Sequence, residues 1–289
     1  MVIEVEQATR LRIFMNWKNP SHPFAFFVVL LLFALASFAD DVPAYRIDAS
    51  GFGNAKEPDI RALLDSAVGE LWKHFPDCTI EAFVVMRGNE PMVAFKRNRK
   101  SEIVMTLATQ DKFWSQYTYQ FSHEFCHILC GYRDDDPTNK WFEETLCETA
   151  ALYTLRAMAK TWQKRPPYPH WKSYGKSLRS YADDIIKGRE KISDKKLASF
   201  YEKHREDMEK SSSNRALNGA MAIVLLGEFE RDPSRWESVR WLNAIPAEKK
   251  MSFHDYLLKW RNAAPPKHHS FISKLASRFG ITLPDAPQR

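Results

Sequence analysis

The sequence predicts an α+β protein, in which a small antiparallel sheet subdomain leads into a mostly helical one. Three observations carry that expectation. Between residues 43 and 108, three strand-like runs follow one amphipathic helix and are separated by short turn-forming stretches. From Asp111 onward nearly every segment has helical periodicity, interrupted by "DDDPTN", "RPPYP", "SSSN", "RDP" and "NAAPP". No stretch of falling hydrophobicity divides the two parts, so residues 40–112 and 113–289 are expected as closely packed subdomains.

Near its N-terminus the chain has an apolar run from Phe24 to Ala39 that stops at Asp40 and Asp41. Ser37 and Ala39 straddle Phe38 in the small-residue pattern of a cleavage site. The run is shorter than the roughly 20 residues a helix needs to span a bilayer. Residues 1–39 therefore read as a signal peptide, with Met15, just before the basic Lys18, as the expected start of translation. The protein is expected to be exported, periplasmic or secreted, with no membrane span after processing; a membrane anchor formed by residues 24–39 is the alternative.

Next, "AYRIDA" reads as a short strand, and "EPDIRALLDSAVGELWKHF" as a helix with Ile60, Leu63, Leu64, Val68, Leu71 and Trp72 on one face. "CTIEAFVVM", "PMVAFKR" and "SEIVMTLA", joined by "RGNE" and "NRK", read as an antiparallel meander. Helices are expected over 113–131, 138–161, 168–187, 194–210, 214–230, 232–242, 251–262 and 267–279. "PPKHHS", with His268 and His269, reads as a surface loop.

With 289 residues, 44% of them hydrophobic, the chain has the material for a substantial core and is neither fibrous nor disordered in composition. Its net charge of +6 comes from 42 basic and 36 acidic residues interleaved along the chain, which forms no basic stripe and argues against a nucleic-acid partner. Oligomeric state is not legible. The four cysteines, Cys78, Cys126, Cys130 and Cys147, have no zinc-framework spacing; a bridge from Cys126 or Cys130 to Cys147 and buried free thiols both remain open.

The chemistry is concentrated in "QFSHEFCHILC", residues 120–130. His123 and His127 are four apart, so on a helix they stand one turn from each other and about 40° apart in rotation, and both imidazoles can reach one metal ion. Glu124 lies on the adjacent face, where zinc proteases place the carboxylate that accepts a proton from the activated water. Gly131 and the acidic run after it are expected to end this helix. A third donor is offered by "NKWFEETLCETAALYTL", where Glu144 and Glu148 share a helix face: one can coordinate and the other can hold a ligand imidazole through its free N–H.

The pattern H-E-x-x-H followed by "WFEETLCE" resembles the gluzincin zinc metallopeptidases, the thermolysin-like and aminopeptidase N-like enzymes. The resemblance covers about residues 101–155. It implies a thermolysin-like catalytic core, Zn²⁺ held by His123, His127 and Glu144, Glu124 as general base, Glu148 supporting a histidine, and a peptide or protein substrate. It also likens "SEIVMTLATQDKFW" to the edge strand that pairs with substrate. Where these enzymes have asparagine before the ligand glutamate this chain has Glu143, which is thus a rival ligand. No tyrosine precedes "NGA" at 218–220, so the oxyanion-stabilising group is unassigned among His170, Tyr174, His204 and Arg215; no amine-recognition role passes to Glu90. Other readings are a metal hydrolase of a non-peptide amide and a non-catalytic zinc-binding module that binds peptide or envelope material.

Overall fold

The computed structural model describes residues 43–285. The expected signal peptide, its cleavage site and Met15 lie outside the described residues. Asp41–Arg289 form one compact unit.

A short strand, β1 (Tyr45–Asp48), is followed by helix α1 (Glu57–Trp72), which buries Ile60, Leu63, Leu64, Val68, Leu71 and Trp72 as its periodicity requires. β2 (Phe83–Arg87), β3 (Met92–Val93) and β4 (Ile103–Leu107) complete a four-stranded sheet of order β1-β2-β4-β3. The sheet is not the expected antiparallel meander: β1, β2 and β4 are parallel, and β3 alone runs antiparallel, against β4. The physical reason lies in the connections. A strand, a helix and a strand in succession bring the second strand back parallel to the first. The "RGNE" turn then carries the chain across the end of β4 instead of folding β3 onto β2. Gly88 sits where that crossing is tightest: its N–H bonds Leu107 O at 3.0 Å, and a Cβ there would stand 2.6 Å from the Thr106 side chain. β4 is consequently an interior strand, and the edge on its side of the sheet is β3, which corrects the sequence expectation.

Helix α2 (Trp114–Leu129) and its C-cap Cys130 carry three pairs of residues spaced four apart. Phe121 and Phe125 stack on one another at 5.5 Å and lie against Phe83 of β2, fixing the helix to the sheet. His123 and His127 face away from that contact, toward a cleft. Cys126 and Cys130 are fully buried. The helix ends as expected at Gly131, in left-handed conformation (φ 64°), where Gly131 N–H bonds Ile128 O and Tyr132 N–H bonds His127 O.

Helix α3 (Lys140–Trp162) is buried around most of its girth, packed by α1, α2, α4 (Gly175–Lys187) and α6 (Arg215–Arg231). Its start is anchored by Trp141 and Phe142, whose rings meet Phe253 at 4.6 and 5.2 Å. Phe253 opens α7 (Phe253–Ala263); α5 (Leu197–Lys210) supplies Tyr201, and Phe279 just beyond α8 (Pro266–Arg278) closes the cluster. Pro169–Tyr174, Asp194–Lys196 and Pro233–Trp241 are 3-10 turns inside stretches expected to be helical. One continuous core runs from Ile47 to Leu283, so sheet and helices share it. "PPKHHS" is no surface loop: it starts α8, and His268 is buried against Trp241. Among the described residues no helix is long and apolar enough to cross a membrane.

Candidate metal centre

Where α2 crosses α3, the two imidazoles of His123 and His127 stand 5.2 Å apart at 64°. Glu144, one helix across, reaches both: Oε2 is 3.1 Å from His123 Nε2, and Oε1 is 3.5 Å from His127 Nε2. The other nitrogen of each ring is engaged from behind. His127 Nδ1 lies 2.7 Å from Glu143 Oε1, and His123 Nδ1 lies 3.5 Å from Glu148 Oε2. With a carboxylate on each side the metal-free imidazoles favour the doubly protonated form, and a metal ion taking the place of the Nε2 proton would leave the Nδ1–H held by the rear carboxylate. Both rings are therefore presented with Nε2 toward Glu144.

The rear carboxylates are themselves held. Glu143 Oε2 accepts from Asn243 Nδ2 at 2.8 Å, and Asn243 Oδ1 accepts from the Tyr256 hydroxyl at 3.0 Å. Glu148 accepts from the Tyr119 hydroxyl and from Arg189, whose guanidinium also reaches Tyr119 at 3.0 Å. Arg189 in turn packs on Gly219, where a Cβ would stand 2.5 Å from its Nε. The glycine of "NGA" is thus explained by the space Arg189 occupies. Glu143 and Glu148 are both buried, and these partners satisfy their charge.

Protonation follows this arrangement. Burial opposes charge on both imidazoles, but the carboxylates prevail: His123 is raised well above its usual value and His127 to about 9. Glu148 is held down to about 2; burial works the other way, and the bond to His123 and the Arg189 charge override it. Glu144 is lowered, against its burial, by the same histidines. Glu124 differs: burial dominates and raises it, opposed by the imidazoles and by a hydrogen bond from the Val93 backbone. Val93 belongs to β3, so the edge strand touches the expected general base.

A cleft of about 1260 Å³ opens over these groups. Its walls include β3 and its flanks from Asn89 to Lys96, with Tyr119, Gln120, Tyr181, Arg215 and Asn218 opposite. Of the oxyanion candidates, Arg215 alone lines this cleft. His170 stacks on Tyr168 beside a separate small pocket, the Tyr174 hydroxyl meets Ser115, and His204 packs on Phe200. Tyr132, set by the turn at Gly131, bonds Ala94 O at 2.8 Å and stacks on Phe95, tying the end of α2 to β3.

Two side chains compete as third donor. His123, His127 and Cys147 place one nitrogen or sulfur each within 4.8 Å of one another, a grouping that can hold a metal ion. Cys147, however, is fully buried and does not line the cleft, whereas the Glu144 side chain is 26% exposed and does. A site that must admit water and substrate uses the donor on the open side, which favours Glu144. Glu143 is behind His127, not beside Glu144. Spacing pointed to the histidines, Glu124, Glu144 and Glu148; it gave no sign of Asn243, Tyr256, Arg189, Tyr119 or Val93, which come from distant segments.

Comparison with protein-family models, with curated proteins and with solved structures finds no match for this chain.

Proposed function

We propose that the protein is a zinc-dependent metallopeptidase of gluzincin type that hydrolyses peptide bonds, exported after loss of residues 1–39. The observation that carries the reading is the orientation of the two imidazoles: each has Nδ1 against a buried, separately held carboxylate and Nε2 toward the cleft and Glu144. Two histidines and one carboxylate suit zinc among the common divalent ions and leave a fourth position open. When bound, zinc would acidify water and polarise a carbonyl.

In this reading Glu124 takes the water proton and passes it to the leaving amine. Its burial raises its pKa, which favours taking up the water proton, and handing that proton to the nitrogen lets the amine depart. His123 and His127 are kept in register by Glu148 and Glu143. Peptide is favoured over a smaller amide because the cleft wall is a sheet edge, where an extended chain can pair with main-chain groups of β3.

The test is mass-spectrometric analysis of a diverse peptide library after exposure to the protein, alongside Glu124→Gln. Cleavage by the parent, reduced about a thousandfold or more by Glu124→Gln with zinc content unchanged, is the expected result. No cleavage by the zinc-loaded parent would exclude peptides as substrate. An N-terminus at Asp40 in protein recovered outside the cell checks the export reading.

A further inference from the structure

Behind the histidine pair, on the side away from the cleft, lie three more donors. Cys126, Cys130 and Cys147 are all free and fully buried, and their sulfurs lie within 4.8 Å of one another, with Cys126 and Cys130 at 3.9 Å. We propose that they form a second metal site, a three-thiol pocket that takes a monovalent thiophilic ion, Cu(I), without involvement in hydrolysis.

Three sulfurs bound at about 2.3 Å in one plane around an ion stand about 4.0 Å apart, close to the Cys126–Cys130 separation. Thiolates select soft ions. Zinc requires a fourth donor to complete its tetrahedron, and full burial denies it a water; among the described residues no fourth side chain is grouped with these three. A trigonal Cu(I) needs none.

The pocket also has a way in. Cys147 belongs to two groups at once: within 4.8 Å of His123 and His127 nitrogens on one side and of the other two sulfurs on the other. An ion arriving at the cleft can pass by ligand exchange from imidazole to Cys147 and onward, without the core opening. Each thiol that ligates releases its proton to solvent, and no electron is transferred. The negative charge left on the cluster faces the two imidazoles.

This inference is independent of the peptidase reading and is tested by Cu(I) competition against a chromogenic chelator, anaerobically, on the full reduced chain. The His123→Ala/His127→Ala double variant, which has no zinc centre and no imidazole route, is expected to take up Cu(I) more slowly but to retain one per chain at equilibrium. Cys147→Ala should weaken binding by about a hundredfold or more, and Cys78→Ala, at the half-exposed cysteine outside the group, should leave it unchanged. Cys126→Ala substitutes for Cys147→Ala if the latter does not fold. Cu(I) uptake that disappears with the histidines and survives loss of Cys147 or Cys126 would overturn the proposal, as would uptake that depends on Cys78.

Discussion

Glu143 and Glu144 are adjacent in sequence yet face different partners. Neighbouring positions on a helix differ by about 100°, which sends Glu144 into the cleft between both Nε2 atoms and Glu143 behind His127. Glu144→Ala should abolish zinc retention at micromolar concentration, whereas Glu143→Gln should lower affinity by about ten- to a hundredfold, both read by competition with a chelator. Equal losses would place Glu143 in the coordination sphere. The rotation was legible in the sequence; which glutamate took which role was not. The placement of Glu143 depends on Asn243 and Tyr256, about a hundred residues downstream, whose side chains hold it behind His127.

Elements were legible to the extent that their signals were local. Gly131 announced the end of α2, and the structure uses it in the left-handed region with nothing within 4 Å of where a Cβ would be. Gly131→Ala is therefore expected to cost about 1 kcal/mol, from backbone strain alone, measured by denaturant unfolding, with zinc affinity unchanged. A loss several times larger would mean that the turn also braces Tyr132 against β3. Strand pairing is not local, and there the reading failed: short turns suggested hairpins, while the order strand, helix, strand from β1 to β2 already implied a parallel pair. The two-residue length of β3 had no signal, because "PMVAFKR" alternates well enough for a longer strand, whereas pairing stops after Val93 and the chain turns at Asn98.

At the scale of the molecule, α3 ties distant parts together, and one of its ties is sensitive to pH. His74, just beyond α1, meets the Tyr153 hydroxyl of α3 at 3.0 Å. Burial, aided by Lys73 and opposed by Glu70 and Asp232, lowers its pKa from 6.5 to about 4. The folded form therefore holds His74 neutral. As pH falls below 6.5 the unfolded chain takes up this proton first, so stability present above pH 6.5 is lost progressively down to pH 4. Urea unfolding of the protein and of His74→Gln should diverge across that window, by about 1 kcal/mol once solvent screening of a half-exposed group is allowed for. Parallel curves would remove His74 from the acid response.

The chain of bonds from Tyr256 through Asn243 to Glu143 has a consequence in time. His123, His127 and Glu144 leave the ribosome together, while Asn243 and Tyr256, which hold the Glu143 carboxylate against His127, follow about a hundred residues later. The packing that steadies Glu143 behind His127 therefore forms only once that later segment has emerged, well after the histidines themselves.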